Sequence, residues 1–267
     1  IQGGMTKMEH PRNITMIQTS IIIFSTIVGV GVLALPRFAA TAGNSAAPLV
    51  TLGGSALAFL SVWILALLGM RFPRNTIILY SEKLIGKLLA RSFSLLIIIF
   101  FAVLTALTAR EFGEVVVTAV LKDTPLEITV IVMLTLASIS TRYDITTFAY
   151  IHHFYFPFIL FPALLIIGLS LKNAEFIHLL PVTGIDRSNF GWGILTITSL
   201  FQGSFVLSMV IPSMRNPKRT MKSVLWGVGM AAGLYLLIVI ATLAVFGFEE
   251  TQIMLWPLLE LAKTTSL

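Results

Sequence analysis

Long runs of apolar residues fill most of the chain, and short polar stretches separate one run from the next. An apolar run of about 20 residues, folded as a helix, crosses the hydrocarbon core of a bilayer. The strands of a membrane barrel would instead alternate apolar and polar positions over about ten residues, whereas these runs are continuous. The pattern predicts an all-α polytopic membrane helix bundle with about seven spans, at residues 14–40, 46–70, 92–120, 126–140, 145–171, 189–211 and 223–247.

The stretch at residues 75–91 is too polar to cross a bilayer. Its isoleucines and leucines are interspersed with Lys83, Lys87 and Arg91, which predicts an amphipathic helix on the inner leaflet with its cations at anionic lipid. A basic loop is an equally acceptable interpretation. Residues 1–7 are interpreted as a leader or N-terminal tail, and residues 8–267 as a single transmembrane domain.

The composition agrees with a membrane protein and excludes several other classes. Only 11% of the 267 residues are charged and 57% are hydrophobic, and the mean hydropathy is +0.94. A soluble domain carries about 25% charged residues, so a soluble enzyme, a nucleic-acid-binding protein and a disordered chain are poor interpretations. The chain has no cysteine and no phosphate-binding loop or nucleophile elbow. The sequence therefore predicts no catalytic residues, no metal site and no cofactor.

The net charge of +6 comes from 18 lysines and arginines against 12 acidic residues. With the N-terminus inside, the inner loops hold 12 cations and three acids, and the outer loops hold five cations and seven acids. Positive residues are retained on the cytoplasmic side of membranes, so this asymmetry predicts a cytoplasmic N-terminus. In the third span, Arg110 and Glu114 are four residues apart, which favours an ion pair at the outer interface over a gate.

The first span contains two glycines, Gly29 and Gly31, near its middle, and Pro36 follows. Two glycines weaken a helix and proline removes a backbone hydrogen bond, so we expect a break there. Unwound backbone is tolerated in a membrane where it lines a cavity, and a second half-helix from about Val32 would direct its positive N-terminal end at that gap. A packing face of small residues is the alternative interpretation.

The sixth span carries Gln202, Gly203 and Ser204 at a similar depth. An amide and a hydroxyl beside a glycine favour a second interruption, although an interhelical hydrogen bond at a packing contact would use the same residues. Two interrupted helices five spans apart are typical of inverted-repeat transporters, which place their substrate between them.

These features resemble the amino-acid/polyamine/organocation transporter superfamily and, more narrowly, the B subunits of spore germinant receptors, the GerAB-type family. The motifs that carry the resemblance are Gln18, Gly29 to Leu33 with Leu35-Pro36-Arg37, Gly86-Lys87, Glu114-Val115-Val116, Thr124-Pro125-Leu126, Phe201 to Ser204, Ile211-Pro212, Asn216-Pro217-Lys218-Arg219 and Trp256-Pro257. The resemblance implies a fold of two five-helix inverted repeats with broken first and sixth helices. That fold has ten spans, so the seven spans here imply a fragment or a naturally C-terminally truncated form.

The resemblance also implies a function. The protein would sense a small nutrient such as an amino acid in a midplane pocket of the spore inner membrane and trigger germination. Its partners would be A-type and C-type receptor subunits. A proton- or ion-coupled amino-acid transporter and a water or ion pathway remain alternatives. The third helix flanks the pocket in this fold, so Thr105 and Thr108 on that helix are added to the candidate ligand-binding residues. Their hydroxyls could equally donate to carbonyls of their own helix. The candidate ligand-binding residues are Ser25, Thr26, Gly29, Val30, Gly31, Thr105, Thr108, Phe201, Gln202, Gly203 and Ser204.

Overall fold

The computed structural model describes residues 13–181 and 189–265, and every regular element within these ranges is helical. The all-α prediction is confirmed, and the predicted leader at residues 1–7 lies outside the described residues. The α-helices along the described chain are α1 (Met16–Ile27), α2 (Leu35–Gly43), α3 (Ala47–Arg71), α4 (Ile77–Ile85), α5 (Lys87–Ala119), α6 (Leu126–Ser140), α7 (Ile145–Ser170), α8 (Phe190–Ser199), α9 (Leu207–Val210), α10 (Thr220–Ile253) and α11 (Pro257–Thr264).

Several of these helices are long and apolar enough to cross a membrane. Four helical segments of the described chain pass by length and composition, and α8 together with Gln202–Ser213 makes a fifth if this bent pair is one span. One of the four, Leu35–Arg71, turns at Asn44, where φ is +49°, and α2 packs back against α3. The shorter helices α1 and α6 are also apolar. The molecule is therefore a polytopic membrane helix bundle, and the exact number of crossings stays a prediction.

The first helix lies in the centre of the bundle. Helix α1 packs against α10 and α7, and α10 also packs against α2 and α3. The most apolar window of α10 is 56% buried, whereas that of α5 is 6% buried. Lipid tails are as apolar as the side chains, so the hydrophobic effect does not drive helices together inside a bilayer. Close packing, helped by small residues, stabilises these helix contacts instead. The breaks of the first and sixth spans lie among these closely packed helices, around α1 and α10.

The first span is broken as the two glycines and the proline predict. Helix α1 begins with a capping box, in which the Thr15 side chain accepts from the Gln18 backbone, and ends at Ile27. A short 3-10 turn occupies Val30–Leu33 before α2 starts at Leu35. The second half-helix therefore starts three residues later than predicted, because the 3-10 turn takes up the intervening residues. Pro36 fits at the start of α2, where its missing N–H leaves no hydrogen bond unmade.

The sixth span is interrupted too. Helix α8 ends at Ser199, a 3-10 segment covers Gln202–Val206, and the two parts of the span are bent by 44°. The interruption falls on the glutamine, glycine and serine that the sequence singles out. Both broken helices of the predicted fold are thus present.

Residues 75–91, where an amphipathic helix is expected, are divided between two helices, and a position on the inner leaflet stays a prediction. Helix α4 ends at Ile85 because Gly86 takes φ +82°, and Lys87 begins α5. Within α4, Tyr80 is buried and stacks on Phe72 with ring centroids 5.1 Å apart. Burial raises the pKa of the Tyr80 phenol above its ordinary value.

Charged side chains gather at opposite ends of the bundle. At one end the Arg215 backbone N–H donates to the Ile14 carbonyl over 2.8 Å, and Gly69 near the end of α3 lies against Ile211. We call this the basic end, since it carries Arg71, Arg74, Arg215, Lys218, Arg219 and Lys222. At the other end the Gln252 amide donates to the Asn44 side-chain oxygen over 2.9 Å. Glu249 and Glu250 lie on this acidic end, as the loop assignment from the sequence requires.

A buried hydroxyl joins α10 to the start of α1 near the basic end. The Ser223 hydroxyl donates to the Met16 carbonyl over 3.1 Å, and Ser223 is fully buried. We expect Ser223→Ala to lower the free energy of unfolding by about 1 kcal/mol, the net worth of one such bond. Denaturation in mixed micelles measures this loss. The exposed Ser92→Ala on α5 serves as the control and should change it by less than about 0.5 kcal/mol; equal losses would contradict the prediction.

Candidate functional site at the two helix breaks

The two broken helices touch each other directly at their breaks. A Cβ atom added at Gly203 would collide with the backbone carbonyl of Thr26, so only glycine allows the sixth span this close to α1. Gly31 on the other side of the first break lies near Leu200, whose Cδ2 atom would be 3.3 Å from an added Cβ. The breaks are therefore brought together as predicted, but they pack tightly at Gly203 and leave no shared cavity there.

Tyr235 on α10 closes the junction from a third side. Its hydroxyl donates to the Ile27 carbonyl over 2.7 Å, which holds the end of α1. Its ring packs edge-on against Phe201, with centroids 5.1 Å apart. Tyr235 is not among the residues predicted from the sequence, although a tyrosine in the middle of an apolar span was a signal that could have found it.

The backbone of the first break keeps free donors. The N–H groups of Val28, Gly29 and Val32 donate to nearby carbonyls. Those of Val30 and Gly31 make no hydrogen bond within the described ranges, and both residues are half-buried. An unpaired N–H at membrane depth is unfavourable unless water or a ligand completes it, so these two donors are available to a carboxylate.

A cavity of about 480 Å³ adjoins the sixth-span break. We call it the sixth-helix cavity; α3, α5 and the break line it, and the residues used below are Ser61, Phe93, Phe100, Phe101, Thr198, Phe201, Gln202, Ser204 and Phe205. Its size is in the range of ligand pockets. Phe93 and Phe100 are more than half exposed, so the cavity is open at the side of the bundle between α3 and α5. The phenylalanines of α5 could not be predicted as cavity residues, because a helix that is apolar all round gives no sign of which face turns inward.

A second, smaller cavity adjoins the first-span break. It measures about 230 Å³ and is lined by Val28 and Gly29 together with apolar residues of α7, α10 and α11. The lining residues of the two cavities do not overlap. Of the candidate residues, Phe201, Gln202 and Ser204 line the first cavity and Gly29 lines the second, while Thr26 and Gly203 form the contact between the breaks.

The candidate serine and threonine hydroxyls on α1 and α5 are less well placed to bind a ligand than the residues that line the cavities. The Thr26 hydroxyl donates to the Ile22 carbonyl over 2.8 Å, and that of Thr105 donates to the Phe101 carbonyl over 2.7 Å. Thr105 is exposed, Thr108 is half-buried, and neither lines the sixth-helix cavity or the smaller cavity at the first-span break. The Ser25 hydroxyl is buried without a partner in the described part of the chain. A ligand role for the two α5 threonines stays an untested prediction.

The charged group near the C-terminal end of α5 is an ion pair, as predicted. Arg110 Nε lies 3.0 Å from Glu114 Oε1, and the two side chains are 71% and 43% exposed. Exposed pairs of this kind contribute little to stability. The pair lies on the surface, and neither residue lines the sixth-helix cavity or the smaller cavity at the first-span break.

The fold and the paired breaks define an all-α polytopic membrane protein of the broken-helix type. Residues 13–267 match the model of the family described as "Spore germination protein", Spore_permease, and the chain belongs to that family. It is 28% identical to spore germination protein YndE of Bacillus subtilis over 252 residues, which is 94% of this chain and 69% of that protein. It is 28% identical to spore germination protein B2 of the same organism over 260 residues, covering 96% and 69%. Spore germination protein A2 is 21% identical over 264 residues, covering 98% and 72%. The protein is thus a germination-related membrane protein of a family not known for enzymes.

Proposed function

We propose that this protein is the B-type membrane subunit of a spore germinant receptor that senses a small nutrient such as an amino acid. The observation that carries the proposal is the direct contact of the two helix breaks at Gly203, with a ligand-sized cavity beside the sixth-span break. A ligand that binds one arrangement of these breaks better than another would shift the population of states. The germination family of the chain supports germination as the response to this nutrient signal.

The proposal includes location and partners. The basic end would face the cytoplasm and the acidic end the outer side of the spore inner membrane, in keeping with the positive-inside rule. The signal would pass to A-type and C-type receptor subunits. Relatives of this chain carry the names spore germination proteins B2 and A2, which supports membership of such a receptor complex.

The first break supplies a test of the sensing role. Gly31→Leu would press a side chain on Leu200 beside the sixth-span break. Overpacking of this kind costs about 1–3 kcal/mol, so we expect the nutrient concentration for half-maximal germination to rise about tenfold or more. The loss of optical density of spores that carry the chain with its partner subunits measures this response.

Two controls make the test specific. Gly168→Leu places the same side chain at an exposed position of α7 with nothing within 4 Å and should leave the response unchanged. Germination through an unrelated receptor in the same spores should also be normal. An unchanged dose response in Gly31→Leu spores would contradict the proposal that the ligand binds at the helix breaks.

Coupled transport of an amino acid is the second candidate, because paired helix breaks are also the geometry of transporters. Uptake of radiolabelled amino acids into proteoliposomes separates the two functions. Uptake driven by a proton or ion gradient supports transport, whereas binding without uptake supports sensing. Osmotic swelling of the same vesicles tests the third possibility, a water or ion pathway.

A further inference from the structure

The sixth-helix cavity has no charge of its own. None of the described side chains that line it is ionisable. A ligand with an acidic or basic side chain would place that charge in an apolar cavity that offers no ionisable partner, which is unfavourable. The cavity therefore selects against charged side chains.

Aromatic rings form most of the wall. Five phenylalanines line the cavity, and two of them, Phe101 of α5 and Phe205 of the sixth span, pack with ring centroids 5.1 Å apart. Such rings offer a large apolar surface to a ligand side chain, and their faces attract an ammonium group.

The free polar groups lie together on the sixth-span break. The hydroxyls of Ser61 and Thr198 already donate to the carbonyls of Leu57 and Gly54 over 3.0 Å each. The Gln202 amide and the Ser204 hydroxyl make no hydrogen bond with the described residues. These two side chains offer donors for a carboxylate, and the amide oxygen offers an acceptor for an ammonium group.

We infer that the sixth-helix cavity binds a neutral amino acid with a large apolar side chain, which packs among the phenylalanine rings while Gln202 and Ser204 hold its carboxylate and ammonium groups. The inference rests on the proposed function and narrows its nutrient to one chemical class. Each buried methylene raises affinity about fourfold, so side-chain size should order the ligands.

Calorimetric titration of the purified full chain in nanodiscs tests the class directly. The probes are L-leucine, L-phenylalanine, L-alanine, L-glutamate and L-lysine. We expect leucine and phenylalanine to bind at least about tenfold more tightly than alanine, since they bury several more carbons. Glutamate and lysine should not bind.

Matched variants locate the binding. Ser61→Phe fills the cavity and should weaken leucine binding about tenfold or more, whereas Leu60→Phe on the outside of α3 should not change it. Gln202→Leu should weaken the binding of every amino acid that binds, because it removes the amide that contacts the carboxylate and ammonium groups common to all of them. Circular dichroism and thermal unfolding of each variant establish that it is folded.

The outcomes separate this inference from the proposed function. If no amino acid binds the unmodified chain, nutrient sensing by this site fails together with the inference. If alanine or a charged amino acid binds as tightly as leucine, or if Ser61→Phe and Leu60→Phe bind leucine equally well, only the inference is overturned.

Discussion

Replacing Gly203 with alanine should prevent the two helix breaks from meeting and remove most of the folded protein from the membrane. The added methyl group would overlap the Thr26 carbonyl. Backbone lies on both sides of this contact, and no flexible side chain can yield. Overpacking of a core costs about 1–3 kcal/mol where side chains can adjust, so we expect a loss of about 3 kcal/mol or more here. Denaturation in mixed micelles and the amount of protein extracted from membranes measure the effect.

The same substitution elsewhere in the span gives the control. Gly191 lies on α8 with nothing within 4 Å of an added Cβ, and it is exposed. Gly191→Ala should be neutral or stabilise the protein by up to about 1 kcal/mol, because alanine favours a helix over glycine. A Gly203→Ala variant as stable as Gly191→Ala would contradict the close contact of the breaks.

The sequence was sufficient to locate both breaks, because their cause is local. Gly29 and Gly31 weaken an α-helix wherever they occur, Pro36 favours the start of a new one, and only a 3-10 turn lies between Ile27 and Leu35. In the sixth span the local cause is Gly203, and a 3-10 segment begins at Gln202. The position of each break along its span could therefore be predicted without knowledge of the packing.

The contents of the site could not be predicted in the same way. Tyr235 is more than 200 residues from Ile27 in sequence, and its hydrogen bond depends on how α10 crosses α1. Thr105 lies on a helix with no polar face, so the sequence could not distinguish a hydroxyl in a pocket from one bonded to its own backbone. The division of the site into two cavities follows from the collision distance at Gly203, which only the packed structure reveals.

Tyr235 should contribute to stability through two separable contacts, and two substitutions distinguish them. Tyr235→Phe removes only the hydroxyl that donates to the Ile27 carbonyl. That carbonyl also accepts from the Gly29 N–H over 2.9 Å, so the expected loss is about 1 kcal/mol. Tyr235→Ala removes the buried ring as well, and we expect a loss of about 3–5 kcal/mol. The free energy of unfolding in mixed micelles is the measurement.

A double-mutant cycle with Phe201→Ala assigns the ring contact. The rings of Tyr235 and Phe201 are packed edge-on, a geometry that contributes about 0.5–1.5 kcal/mol beyond buried area. Tyr235→Ala should therefore couple to Phe201→Ala by about that amount, whereas Tyr235→Phe keeps the ring and should add to Phe201→Ala without coupling. The exposed Tyr150→Phe on α7 is the matched control and should be neutral. If Tyr235→Phe were equally neutral, the hydroxyl would not hold the end of α1, and the first break would depend on ring packing alone.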